Sequence, residues 1–254
     1  MIRRVLVLLA LFASLFPSFA RSAAPRVVSL APHTTEMVIA AGGQQQLVAA
    51  VPGEGPLAAS VKRLAVIGGI DRELILALEP DLVIAWESGN RASDITWLRT
   101  QGLPVYLSEP DDLEQVATDI LAIGHLMGTE KQAQEAAARF TDSLISECAA
   151  LPEQEVYIEV WDHPPMSLGG SHWLNEAISR VRLTNTYRDY PRSVFSIDRE
   201  SLMSKGELPR LALRADSPLG SQLLGRPGPL LAKGIQELCA QRQQSPQQTQ
   251  PIAR

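Results

Sequence analysis

The chain has 254 residues, 45% hydrophobic and 20% charged, with a formal net charge of −5. A mildly acidic balance argues against nucleic-acid binding, which wants clustered Lys and Arg, and is poor for steering a strongly anionic ligand. The two cysteines, Cys148 and Cys239, form no metal-binding cluster.

The N-terminus reads as an export signal over residues 1–20. Arg3 and Arg4 precede an apolar run from Val5 to Phe16 broken only by Ser14, and Ser18-Phe19-Ala20 fits a small-residue cleavage site. Such a run is too short to span a bilayer, and no later stretch reaches about eighteen residues without charges. No Cys follows it to carry a lipid. Cleavage after Ala20 leaves 21 basic against 28 acidic residues. The remaining chain of about 230 residues suffices for two compact lobes and is expected to be soluble and exported. In an oxidising compartment Cys148 and Cys239 can pair, closing a loop worth about 4–5 kcal/mol. The alternative is two small apolar groups buried on helix faces.

Taken in order, Arg26 to Leu30 is a short apolar strand. Pro32-His33-Thr34-Thr35-Glu36 then turns into a helix that Thr34 or Thr35 can cap, ending at Gly42-Gly43. Leu47 to Val51 is a second strand. A helix over Arg72 to Leu78 is stopped by Glu79-Pro80-Asp81, and Leu82 to Trp86 is a continuous apolar strand. Gly89-Asn90 makes a turn, Ala92 to Thr100 is helical, and Leu103 to Leu107 is another strand. This alternation predicts an α/β fold with a mainly parallel sheet covered on both faces, its ligand loops beyond the carboxyl ends of the strands. From Leu113 the chain is helix-permissive to Ala150, apart from Gly128-Thr129. A helix from Glu130 to Ala149 would be about 30 Å long and would suit a rigid strut between lobes. Val156 to Val160 opens a second α/β unit, with Trp161 to Met166 as a loop past the strand end. A helix through Ile178 follows, and Leu208 to Leu213 weakly echoes the strand at 80–85. A final amphipathic helix covers Leu230 to Ala240. The expected divisions are a lobe at 21–122, a linking helix at 123–152, a shorter lobe at 153–241 and a disordered Gln- and Pro-rich tail at 242–254.

The string Ile-Asp-Arg-Glu occurs twice, at 70–73 and 197–200, once in each half. Each copy reads as a helix start, with Asp71 or Asp198 as N-cap and Glu73 or Glu200 in the first turn, where a carboxylate suits the helix dipole. One reading is ordinary capping. The other is a matched pair of outward carboxylates, one per lobe, that meets a partner.

RVVSLAPHTTE, ALEPDLVIAW with its Gly89-Asn90 turn, the long helix, VYIEVWDHPPMSLGG and RPGP together resemble the periplasmic cobalamin-binding proteins. These are solute receptors of ABC importers for cobalamin, siderophores and haem. The resemblance covers most of Arg26 to Cys239. It implies two α/β lobes joined by a single long helix, a periplasmic and monomeric receptor without catalysis, and a corrinoid carried as transported ligand with no resident cofactor or metal. It also implies that Glu73 and Glu200 dock on Arg residues of an inner-membrane permease. Pro32, His33, Trp86, Trp161, Asp162 and Arg226 fall on or near its ligand positions, where two aromatic faces suit a large flat ligand and Arg226 would meet its amide edge. Three departures stand out. The family's Tyr-rich loop is Val51-Pro52-Gly53-Glu54-Gly55 here, an aromatic before the first docking helix is Ile67, and the stretch between Leu213 and Arg226 is short by several tens of residues.

Other chemistry finds less support. No nucleophile elbow, phosphate loop or HExxH occurs, and Ser171-His172 are neighbours in sequence only, which leaves an exported hydrolase as the weakest alternative. A haem, iron-siderophore or metal receptor of the same fold is the stronger rival, through His33, His163 and His172 in loops that can face a cleft.

Overall fold

A computed structural model describes residues 24–144, 147–198, 200–201, 208–213 and 219–244. The expected signal peptide, Arg199 and positions 245–254 of the expected tail lie outside these residues.

Strands β1 (Val27–Ser29), β2 (Leu47–Ala50), β3 (Lys62–Arg63), β4 (Leu82–Trp86) and β5 (Val105–Ser108) form an all-parallel sheet in the order β3-β2-β1-β4-β5. Leu82 to Trp86 shows why its central strands read as unbroken apolar runs. Leu82 and Ile84 enter one core with Val27 and Leu47, while Val83 and Ala85 enter a second core with Val28, Leu30 and Ala49 on the opposite face. Five helices cover the two faces: α1 (Pro32–Ala40), α2 (Arg72–Ala77), α3 (Ala92–Thr100), α4 (Leu113–Met127) and α5 (Glu130–Ser143). Met37 and Val38 of α1, Val116 and Ile120 of α4 and Ala133 of α5 belong to the first core. Ile75 of α2 and Ile95 and Leu98 of α3 belong to the second.

The linking helix differs from expectation. It begins at Glu130 but ends at Ser143, about 21 Å long rather than 30 Å. Gly128, in the left-handed region at φ 70°, closes α4 and folds α5 back against it. The two helices meet so closely that a Cβ at Gly124 would lie 2.1 Å from the Cβ of Ala133. After α5, residues Glu147–Ala150 make a 3₁₀ turn that carries Cys148 into a disulfide with Cys239. α5 is packed against both halves and does not bridge them through solvent. Ala133, Ala136, Ala137 and Phe140 are buried in a core that continues into the C-terminal half through Val156, Ile158, Leu174 and Leu238.

That half is built from β6 (Gln154–Glu159), β7 (Trp161–Asp162), β8 (Pro165–Leu168), α6 (Leu174–Ser179), β9 (Leu183–Asn185), β10 (Val194–Ser196), β11 (Arg210–Ala212) and α7 (Leu231–Gln244). β11, β6 and β9 form a three-stranded parallel sheet, and β10, β8 and β7 an antiparallel one. The echo at Leu208 to Leu213 is thus a strand, with Leu211 paired to Ile158. With three parallel strands against five, the second lobe is the smaller among the described residues. Two expectations are corrected. Residues 161–166 belong to a β-hairpin with its turn at 163–164 rather than to a loop, since β7 and β8 satisfy each other's backbone groups. The last helix runs to Gln244, past the expected start of the tail at 242. Its Arg242 is buried and donates to the carbonyls of Pro152, Val181 and Arg182, which ties this turn to the lobe.

Candidate functional site

β1 and β4 are parallel neighbours, so the loops at their carboxyl ends emerge side by side. After β1 the chain enters α1 with Ala31 as N-cap and Pro32 in the first turn, where a missing N–H costs nothing. Thr34 and Thr35 therefore lie inside the helix, and Thr34, at its third position, caps it from there by bonding back to Ala31 as in a capping box. Thr34 Oγ1 accepts from the Ala31 N–H at 3.2 Å, and Thr35 Oγ1 donates to the Val51 carbonyl at 2.7 Å. His33 is buried, and its ring meets Trp86, the last residue of β4, edge-on at 5.2 Å. The Gly89-Asn90 turn holds Trp86 in place. Asn90 Oδ1 accepts from the Trp86 backbone N–H at 2.7 Å, while Asn90 Nδ2 donates to the Leu30 carbonyl at 3.0 Å, joining the two strand ends. The indole lies directly over Gly89, where any Cβ would sit 1.9 Å from a ring carbon.

One turn along α1, the side chain of Glu36 is 4% exposed. Its Oε1 accepts from the Glu54 N–H at 3.0 Å and from Arg226 Nη1 at 3.2 Å, and Arg226 Nη2 donates to Glu54 Oε1 at 3.0 Å. Gln222 Nε2 also donates to Glu54 Oε1, at 3.2 Å. Arg226 thus forks across two carboxylates of the first lobe from the loop that leads into α7. Gly228 permits this approach, since a Cβ there would lie 2.9 Å from Glu36 Oε2 and 3.1 Å from His33 Cβ. Burial, aided by the nearby guanidinium, lowers the His33 pKa to about 4, so the imidazole is neutral at ordinary pH. Burial raises the Glu36 pKa, against the Glu54 N–H and Arg226, which favour the carboxylate. His33 Nε2 and Glu36 Oε2 are buried with no hydrogen-bond partner among the described residues.

Pro32, His33, Trp86 and Arg226 are therefore brought together. Trp161 and Asp162 form a second group on the β7–β8 hairpin. Trp161 is 59% exposed, with its Nε1–H donating to the His163 carbonyl at 2.8 Å, and Asp162 pairs with His163 Nδ1 at 3.0 Å. The His163–Pro164 bond is cis. His172 lies elsewhere, its Nδ1 accepting from the Leu174 N–H at 3.1 Å and its ring 4.9 Å from Trp173. The three loop histidines do not converge, and no group of three His, Cys, Asp or Glu among the described residues suits a metal ion.

Sequence reading missed Glu36 and Glu54 as partners of Arg226. The only signal was an acidic residue among apolar neighbours on α1, three positions from His33. A cavity of about 300 Å³ beside this cluster is lined by Glu54, Ser221, Gln222, Lys233 and Glu237. Its carboxylates already have partners, Glu237 accepting from Ser221 Oγ at 2.6 Å.

At the repeated strings, both Asp residues cap as expected. Asp71 Oδ1 accepts from the Leu74 N–H at 3.0 Å, and Asp198 accepts from the N–H and hydroxyl of Ser201, both at 2.7 Å. These bonds lower the Asp198 pKa. Glu73 and Glu200 are exposed.

Comparison with known proteins places this geometry. The periplasmic binding protein family model matches residues 27–217. The vitamin B12-binding protein of Vibrio parahaemolyticus is 29% identical over 94% of this chain and 96% of its own length. The crystal structure of the periplasmic vitamin B12 binding protein BtuF of Vibrio cholerae superposes with a TM-score of 0.75 at 25% identity, over 89% of this chain and 99% of that one. A periplasmic heme-binding protein of Roseiflexus sp. RS-1 shares the fold, with a TM-score of 0.70 at 18% identity over 86% and 98% of the two chains. A two-lobed α/β chain with its loops gathered at the carboxyl ends of parallel strands, and with a family match over three quarters of its length, belongs to the periplasmic binding protein family.

Proposed function

We propose that this chain is the exported receptor of an ABC importer, capturing cobalamin or a related corrinoid between its lobes and handing it to an inner-membrane permease. The observation that carries this reading is the near-full-length likeness to proteins named for vitamin B12. The site is compatible with a flat ligand: Trp86 is held by a turn with no room for any side chain but its own, and Trp161 offers a second, exposed indole. In this reading the chain divides into a lobe at 21–122, a connection at 123–152 and a lobe from 153 to the end of α7, acts as a monomer, catalyses nothing and needs no resident cofactor. Pro32, His33, Trp86, Trp161 and Asp162 meet the ligand. Arg226 meets it only with donors left over from Glu36 and Glu54. Glu73 and Glu200 meet the permease, one from each lobe.

A haem receptor is the second reading, favoured by the neutral, buried His33 whose Nε2 is unpaired among the described residues, and by a heme-binding structural neighbour. Titration calorimetry of the mature protein with cyanocobalamin and, separately, with haemin tests both. Micromolar or tighter cyanocobalamin binding is expected. Haemin binding without a cyanocobalamin signal would replace the first reading by the second, and silence from both would overturn each.

A further inference from the structure

The segment that presents Glu73 is held by a different helix from its own. α2 has six residues, too few to be stable alone, and only Ile75 among them is fully buried. Ile70, Leu74 and Leu78 pack partly against the sheet's second core, and the polar restraint comes from α3, which Ile95 and Leu98 anchor in that core. Asp94, buried in the first turn of α3, accepts from the Ile70 N–H at 3.2 Å through Oδ2 and from Arg72 Nη2 at 3.0 Å through Oδ1. One turn on, Trp97 lies under the Arg72 guanidinium, 4.9 Å from ring centroid to carbon. Arg91 donates to the Gly68 carbonyl. Gly69, at φ 118°, completes the seat, since a Cβ there would lie 3.0 Å from Arg91 Nη1 and 3.3 Å from Asp94 Oδ2.

Two consequences follow for Glu73. Its helix is fixed in direction on both flanks, by Ile75 below and by Asp94 through residues 70 and 72. The neighbouring cation is also removed from play. A free Arg72 would swing beside Glu73 and oppose any basic group approaching that carboxylate, whereas Asp94 neutralises it and Trp97 lays it flat.

We propose that Asp94 is a positioning residue for the permease-docking surface, setting the direction of Glu73 and holding Arg72 away from the incoming basic partner. This inference rests on the docking reading given above. It is tested by surface plasmon resonance on the cognate importer in nanodiscs, with wild type, Glu73→Ala, Asp94→Ala and the double variant, and with cyanocobalamin calorimetry of each in parallel.

With Glu73 present, Asp94→Ala is expected to weaken docking about tenfold, and by less than about twofold once Glu73 is already Ala, with cyanocobalamin affinity unchanged in all four. The same loss in both backgrounds would overturn the inference by showing general destabilisation. Wild-type docking by Asp94→Ala, with docking lost in Glu73→Ala, would overturn the inference alone. Wild-type docking by Glu73→Ala would remove the docking reading itself and the inference with it. Should Asp94→Ala fail to fold, Arg72→Gln replaces it in the same cycle, since that side chain is 45% exposed. Hydrogen exchange over residues 68–74 is then expected to rise while that of 92–100 stays as in the wild type. Unchanged exchange over 68–74 would overturn the inference.

Discussion

Trp86 illustrates how one residue's usefulness depends on the absence of atoms elsewhere. Its backbone N–H is held by the Asn90 amide, and its indole lies over Gly89, whose φ is ordinary and whose requirement is for space alone. Gly89→Ala should therefore leave the turn's backbone undisturbed while displacing the ring. We expect cyanocobalamin affinity to fall at least about tenfold, checked by calorimetry, with little change in melting temperature. The Gly89-Asn90 pair was legible in the sequence as a turn, because that dipeptide favours one. Its second duty, giving an indole somewhere to lie, was not legible, because the contact is set by the path of the turn rather than by spacing.

The α4–α5 hairpin carries the same lesson to elements. Period and composition identified both helices and the break at Gly128-Thr129, since the apolar residues recur at helical spacing and Gly128 adopts the left-handed conformation that suits it. The end of α5 was misplaced, because nothing in its helix-permissive sequence before Ala150 signals a stop. The stop comes with the turn that delivers Cys148 to Cys239 across 91 positions. The hairpin also makes a mutational prediction. In an isolated helix, Gly124→Ala would stabilise by about 1 kcal/mol. Here the new Cβ would fall 2.1 Å from that of Ala133, so the helices must separate. We expect a net loss of about 1–3 kcal/mol in denaturant unfolding, partly restored when Ala133→Gly is added.

Across the whole molecule, the lobes are joined by more than their connecting segment. One apolar core runs from the first sheet through α5 into the second lobe. At the cleft side Arg226 links both lobes by reaching back 190 positions to Glu36 and 172 to Glu54. The Glu54 arm is partly exposed and screened, so it contributes little, whereas Glu36 is buried and dominates. Arg226→Ala would leave that carboxylate without its cation. We expect a loss of about 3 kcal/mol, or a fall in melting temperature of about 6–12 °C by scanning calorimetry, much of it recovered in the Glu36→Gln background. Together with the shared core, this link suits a receptor whose lobes move little on binding.

The linear chain was enough to specify an α/β fold, the central strands and both capped helix starts, because these depend on apolar runs, helical period and capping residues within a few positions of one another. Folding alone brought Glu36 and Glu54 to Arg226. It also joined Cys148 to Cys239 and seated Arg72 between Asp94 and Trp97. Each of those depends on groups from different elements arriving within a few ångströms, and a sequence carries no local signature of a contact made across the cleft or through a packed core.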